Sequence, residues 1–307
     1  MNYTIFKMRF KAAVHIGDKS LTDSEMTIHA DTVFSALCHE ALKSNEGELE
    51  KLVSLSKEGS IILSDALPFI EQDYYIPKPI IHIEGNSESR SDDYGNKKAF
   101  KKLKYIPVDL IDTYLNGEFD APYGLEDFAK LGKTDTRTLA TIRQETKPYH
   151  VGTFTFFDNS GLYVIVGYEK EVDFIESLFN ALSYSGIGGR RSSGLGKFEV
   201  ERCGCEEFIS LLNNTAAKKK MTLSVSMAKN EELEGCLVNA TYTLKKRSGF
   251  VSSATYADRM LKKRDFYAFG AGSCFENTFE GDVFDVSQDG SHPVYRYAKP
   301  MFMGVNM

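Results

Sequence analysis

A chain of 307 residues with 37 Lys and Arg against 43 Asp and Glu, a net charge of -6, is longer than one average domain and too acidic overall to coat a polyanion indiscriminately. Its 42% hydrophobic and 12% aromatic residues are enough for packed cores, which excludes a disordered chain. Two packed domains are expected, residues 1–205 and 206–307.

The run YTIFKMRFK from Tyr3 alternates Phe6, Met8 and Phe10 with Lys7, Arg9 and Lys11, the period-two signature of a strand with one buried and one basic face. After Gly17 and Asp18, HADTVFSALCHEALK from His29 sets Phe34, Leu37, Cys38, Ala41 and Leu42 on one helical stripe, with Asp31 or Thr32 placed to cap it. A second strand, SIILSDALPFI from Ser60, runs into a kink at Pro77 and Pro79. From about residue 84 to 150 periodicity is lost. That insertion holds a lysine cluster (Lys97, Lys98, Lys101, Lys102, Lys104) and the segment KTDTRTLATIRQETKPYHVG from Lys133, and its length points to function rather than passive connection.

GTFTFF from Gly152 and GLYVIVGY from Gly161 read as a hairpin around residues 158–160, and a helix follows from Glu171 with Val172, Ile175, Leu178, Phe179 and Leu182 on its apolar side. A glycine-rich loop from Gly186 and a strand from Lys197 close the front half. The order strand, helix, strand, insertion, strand, helix, strand is ferredoxin-like and of the α+β class. MTLSVSM from Met221, CLVNATYTLKK from Cys236 and VYRYAKPMFM from Val294 predict a second, smaller domain of the same class, with a helix near residues 253–263.

The loop GIGGRRSSGLG is the sharpest chemical signal. Glycines permit close approach of main-chain amides, and arginine forks match phosphate geometry. The expected phosphate-backbone contacts are Gly186, Gly188, Gly189, Arg190, Arg191, Ser192, Ser193, Gly194 and Lys197; a flexible surface connection would share that composition. The Walker pattern fails because Phe198 follows Lys197, and the dinucleotide pattern fails because the loop runs from helix to strand, so no nucleotide cofactor is expected. A second basic tract, with Lys245, Lys246 and Arg247 at its start, is interleaved with aromatics on which single-stranded bases can stack. A solvated surface over core aromatics would share that composition. Of six histidines, His15 alone ends a strand beside a glycine turn, where a general base could face a phosphodiester.

Cys38, Cys203, Cys205, Cys236 and Cys274 are odd in number and scattered, which predicts reduced thiols in a cytoplasmic compartment and no zinc site. No apolar run approaches the roughly 20 residues that span a bilayer, so no membrane partner is expected.

The HADTVFSALC helix, the TIRQETKPYHVGTFTF segment and the GIGGRRSSGLGKFEV loop resemble the RAMP superfamily of CRISPR-associated RNA-binding proteins. With the terminal HPVYRYAKPMFMG stretch, the chain is most similar to the family of fourth subunits of type III-A Csm effector complexes. The resemblance implies two ferredoxin-like (RRM-like) domains, the first carrying a thumb-bearing insertion. It also implies a noncatalytic scaffold that holds the repeat-derived 5′ handle of CRISPR RNA and docks the large polymerase-like subunit beside the backbone RAMP subunit. The handle would rest on Gly188, Gly189, Arg190, Arg191, Ser192 and Ser193, helped by His15. The thumb, including Arg143 and Lys147, would enter the guide-target RNA duplex. The alternative is a metal-independent repeat-RNA endoribonuclease using His15.

Overall fold

The alternation at the start of the chain becomes β1 (Asn2–Phe10), followed by α1 (Ala30–Ser44), α2 (Glu46–Glu58), β2 (Ile61–Leu63), β3 (Leu67–Ile70) and β4 (Asp73–Pro77). The structure, a computed structural model, describes residues 1–17, 20–82, 94–142, 146–253 and 255–306. The region read as aperiodic holds α3 (Tyr94–Lys102), β5 (Tyr105–Pro107), α4 (Ile111–Leu115), α5 (Ala121–Phe128), β6 (Gly132–Ile142) and β7 (Thr146–Phe156). β8 (Ser160–Tyr168), α6 (Val172–Ser185) and β9 (Phe198–Cys203) complete the front half. Behind it come α7 (Glu206–Leu212), β10 (Lys219–Thr222), α8 (Asn230–Cys236), β11 (Leu244–Arg247) and β12 (Phe266–Phe269). The chain ends with β13 (Cys274–Phe275), β14 (Val283–Asp285), β15 (Tyr295–Tyr297) and β16 (Phe302–Val305).

The main sheet is antiparallel in the order β5-β4-β3-β8-β1-β9, with β2 also on β8. Helices α1 and α6 cover one face, where Phe6 stacks on Phe179 at 4.5 Å between ring centroids and packs with Val164, Phe34 and Leu182. The other face, with Ile5, Phe69, Tyr163 and Ile165, is covered by the back half through Met221, Leu223, Met301 and Met303 and by the insertion through Ile106 and Ile111. Burial on both sides explains why GLYVIVGY is apolar at every position.

It also corrects the reading of a basic face on β1. Lys7 is buried, its ammonium 4.6 Å from the Tyr74 ring centroid and 5.2 Å from that of Phe69, and Arg9 lies 5.1 Å from the Phe69 ring. Lys7 is thus sheltered by the aromatic faces of β3 and β4, while the partly exposed Arg9 and the exposed Lys11 pair with Glu201 and Glu199 of β9.

The hairpin between β7 and β8 is not formed. β7 pairs instead with β6 along an 11-residue ladder from Gly132↔Phe156 to Ile142↔Thr146, while β8 pairs with β1, β2 and β3. A strand apolar on both faces gains most in the middle of a covered sheet, whereas the mixed polar sequence of β6 and β7 suits a ribbon whose outer part stands in solvent. The inner end of the ribbon is anchored: Val14 N donates to Phe154 O (2.8 Å) and Gly152 N donates to Leu21 O (2.9 Å).

Three other local expectations change. The start of α1 is capped from a distance by Asp65, whose Oδ1 accepts from Ala30 N and Val225 N (both 2.8 Å) and whose Oδ2 accepts from His29 Nδ1 (2.7 Å); neither Asp31 nor Thr32 is the cap. No helix forms in 251–253 or 255–263, the region of the expected 253–263 helix; the chain there is irregular and held by the buried Tyr256, whose hydroxyl donates to Gln288 O (2.7 Å). Cys236 closes a helix rather than opening a strand, and only Leu244–Arg247 of the run after it is extended.

Helix α2 was not anticipated, although its signals are local. Asn45 Oδ1 accepts from Glu48 N (3.0 Å) at the start, Leu52 and Val53 are buried, and Gly59 stops it in the left-handed region (φ 84°). Asn45→Ala should cost about 1 kcal/mol in chemical denaturation, the usual value of a lost N-cap.

In the back half β16-β10-β13 form an antiparallel sheet, extended by the bridge Thr241↔Cys274, with β11-β12 and β14-β15 as separate ribbons. The two halves share their cores. Tyr297 packs on Phe34 at 5.2 Å and accepts a hydrogen bond from Leu63 N (2.7 Å), and Val225, Ala268 and Val283 join the helical side of the main sheet. Among the described residues no helix is long and apolar enough to cross a membrane.

Candidate nucleic-acid interface

The glycine-rich loop leaves α6 at Gly186 (φ 75°) and folds back on the end of β1's extension. Gly189 N donates to His15 O (2.8 Å), Gly196 N to Ala13 O (2.9 Å), and Ile187 N to Gly196 O (3.0 Å). Glycine is needed here for close approach: a Cβ on Gly196 would lie 1.9 Å from Ile187 O, and one on Gly189 would lie 2.7 Å from the His15 ring. Much of the loop's glycine content thus serves its own packing, and five of its amides, those of Ile187, Gly189, Ser193, Gly194 and Gly196, donate inward. The amides of Gly188, Arg190, Arg191 and Ser192 donate to no backbone carbonyl, and they surround the left-handed Arg190 (φ 59°) at the head of the 3-10 turn Arg191–Ser193. Successive amides about a left-handed residue form a concavity suited to an anion.

Neither loop arginine is in an ion pair with the protein's own carboxylates among the described residues. Arg190 lies over the Tyr149 ring of the β6-β7 ribbon at 5.0 Å, and Arg191 Nη1 donates to Gly186 O at 3.4 Å. Ser192 and Ser193 are exposed beside them. His15 is 7% exposed, and its Nδ1 donates to Gly152 O (2.7 Å), which fixes the proton on Nδ1 and leaves Nε2 as the ring's acceptor.

The loop borders a cleft of about 360 Å³. One wall is His15, Gly188, Gly189 and Arg191; the second is the α1 face bearing Thr32, Ser35 and His39; the third comes from the back half with Lys245, Lys246, Arg247 and Lys263. The two basic segments noted separately in the sequence therefore meet. Arg190, Arg191 and Ser192 also border a second hollow with Lys43 and Ser185. Gly186, Ser193 and Gly194 lie outside both linings, and Lys197 is exposed at the start of β9. Lys147 is exposed on the ribbon, and Arg143 lies outside the described residues.

The back-half cations divide by role. Lys246 pairs with Asp265 (2.6 Å) at half-exposed positions, and Lys245 is exposed. Arg247 grips Asp31 with Nε on Oδ2 (2.9 Å) and Nη2 on Oδ1 (2.8 Å), and donates to Thr32 Oγ1 (3.0 Å). Arg296 Nη1 donates to the same carboxylate. Burial alone would raise the Asp31 carboxyl, but Arg247, Arg296 and His29 hold it well below the usual carboxylate range. Arg247 thus serves first as a tie between the back half and α1. Burial, with Arg191 and Lys263 beside it, pulls the His39 imidazole below its ordinary value. Burial pushes the Cys38, Cys205 and Cys274 thiols up to about 12, where they are inert; all five cysteines are free. Among the described residues no group of three or more His, Cys, Asp or Glu could hold a metal. Sequence reading missed Arg296; its only mark was a cation between two tyrosines in an alternating run.

An antiparallel α+β sheet whose last helix-to-strand turn is a glycine-arginine loop beside a long β-ribbon defines a class, and residues 7–199 match the family model of the RAMP superfamily. Residues 215–305 match that of the CRISPR Csm4 C-terminal domain. The chain belongs to the Csm4 family of the RAMP superfamily. It is 37% identical over 310 residues to the CRISPR system Cms protein Csm4 of Mycobacterium tuberculosis strain H37Rv, covering 99% of this chain and 98% of the relative. It is 34% identical to the Csm4 protein of Streptococcus thermophilus, covering 98% of each. Its fold is similar to a chain in the crystal structure of the Csm3-Csm4 subcomplex of the type III-A CRISPR-Cas interference complex, with TM-score 0.66, 20% identity and full coverage of both. It is also similar to one in the Csm1-Csm4 cassette with AMPPNP, with TM-score 0.60, 16% identity, and 100% and 99% coverage.

Proposed function

We propose that this chain is a noncatalytic RNA-holding subunit of a type III-A Csm interference complex. The repeat-derived 5′ handle of CRISPR RNA lies along the glycine-rich loop and in the adjoining cleft. The observation that carries this reading is the convergence on one cleft of the loop, through Gly188, Gly189 and Arg191, which is in no ion pair among the described residues, and the basic tract of the back half. Guanidinium forks and main-chain amides around a furrow bind a nucleotide backbone without base chemistry. The β6-β7 ribbon, with Lys147 exposed near its tip, is the part that enters the guide-target duplex. Relatives of this family occur in solved complexes with Csm3 and with Csm1, which supports docking to the backbone RAMP subunit and the large polymerase-like subunit. The same reading divides the chain near residue 205 into two ferredoxin-like halves, the second with the sheet β16-β10-β13 extended by the Thr241 bridge and with helices α7 and α8, and puts the complex in the cytoplasm.

The test is binding of labelled handle-bearing RNA to the full chain. Wild type retains intact RNA with an affinity that falls steeply with salt. Replacing both Arg190 and Arg191 by Ala raises Kd at least about tenfold, since each lost charged contact costs roughly 1 to 3 kcal/mol. An unchanged Kd removes the loop from the site. A second reading, cleavage by His15, draws on the fixed Nδ1 proton that leaves Nε2 able to accept one. It predicts shortened RNA that disappears in His15→Ala; intact RNA in both rules it out.

A further inference from the structure

The inner end of the cleft holds an unbalanced group of cations. Arg296 lines the cleft with its side chain 7% exposed, one guanidinium nitrogen bound to Asp31, and its Nε and Nη2 buried without any hydrogen-bond partner. Lys263 lines the same end and makes no ion pair among the described residues. Among the described residues Glu25, the other carboxylate of the lining, makes no ion pair with Arg296 or Lys263, and its amide donates to Ile16 O (2.8 Å). Asp31 is already shared between Arg247 and Arg296. Burial, and then Arg296, pulls the Lys263 ammonium below its ordinary value, an effect that the nearby Asp31 carboxylate opposes without cancelling. Two buried donors without acceptors are costly, and their cost is relieved by a group that brings negative charge and several acceptor oxygens.

We propose that the inner end of the cleft is a seat for one phosphate group, held by Nε and Nη2 of Arg296 and by Lys263. The inference rests on the RNA-holding reading and deepens it: the group seated there is one phosphate of the bound RNA, and this contact lies on the back half, across the cleft from the glycine-rich loop. Phosphate fits better than carboxylate because the same cleft is lined by Gly188 and Arg191, whose amides donate to no backbone carbonyl among the described residues and could share a multidentate anion. Both orphan nitrogens are buried, so seating the group requires a side-chain shift at the inner wall, and Lys263, on an irregular segment, has the flexible stem for it.

The test is calorimetric titration of the full chain with inorganic phosphate at constant ionic strength, with chloride and acetate as controls. Saturable phosphate binding is expected, weakened at least about tenfold in both Lys263→Met and Arg296→Lys, the latter keeping a cation for Asp31 so that the fold, checked by near-UV circular dichroism, survives. Protein saturated with handle RNA should no longer bind phosphate. Equal response to chloride, wild-type affinity in both variants, or undiminished phosphate binding to the RNA-saturated protein overturns the proposal. Equal competition by acetate does so too, assigning the seat to a carboxylate. RNA binding by wild type is measured alongside: if RNA binds and phosphate does not, only the seat falls. If RNA fails to bind, the broader reading falls with it.

Discussion

Asp31→Ala destabilises the fold by about 3 to 5 kcal/mol in urea denaturation, the range for removing one partner from a buried ion pair. The carboxylate is 1% exposed and is, among the described residues, the only anion in an ion pair with Arg296, which is itself 7% exposed, while Arg247 at 23% grips it with two hydrogen bonds. Truncation removes the ion-pair partner of the buried Arg296 and the two hydrogen bonds by which Arg247 ties the back half to α1. The contribution depends on pH in a defined direction. Because the folded carboxyl is held below its ordinary value of 3.8, the stability it supplies is complete above that value and is lost as pH falls below it. The gap between wild type and Asp31→Asn should therefore narrow as pH is lowered from about 4 to about 2. A variant as stable as wild type at neutral pH contradicts the assignment.

Gly196→Ala costs about 3 kcal/mol and loosens RNA binding, whereas Gly194→Ala costs about 1 kcal/mol. Both glycines have positive φ, 75° and 82°, so both substitutions meet the same backbone penalty. They differ in space. The added carbon at 196 would stand 1.9 Å from a backbone carbonyl, and at 194 it meets nothing within 4 Å. Relief at 196 requires moving the segment whose bonds to Ala13 and Ile187 set the loop on β1's extension, and with it Arg190 and Arg191. Denaturation midpoints and handle affinity measured for the pair decide the matter; equal losses in both would show that conformation alone, not crowding, governs the loop.

β1, α1, α6 and β9 were legible because their signals are periodic over one element, and the loop after α6 because glycines and arginines are dense within eleven residues of sequence. Helix α2 was equally local, yet it went unread between stronger neighbours. The partner of β7 was not legible: an alternating strand satisfies its hydrogen bonds with any edge of matching length, and the choice of β6 over β8 depended on β8 being drawn into the covered sheet.

The sequence by itself determined the front-half order of strands and helices, the family and the loop, since these rest on local pattern and on motif. Only the tertiary structure decided that Asp31 is a tie and not a cap, that Lys7 is sheltered, and that residues near 190 and near 246 face one cleft. Those are statements about which distant groups share a dielectric environment. A charge is neutralised, caged or left hungry by neighbours that chain folding brings to it, and no spacing along the chain records them.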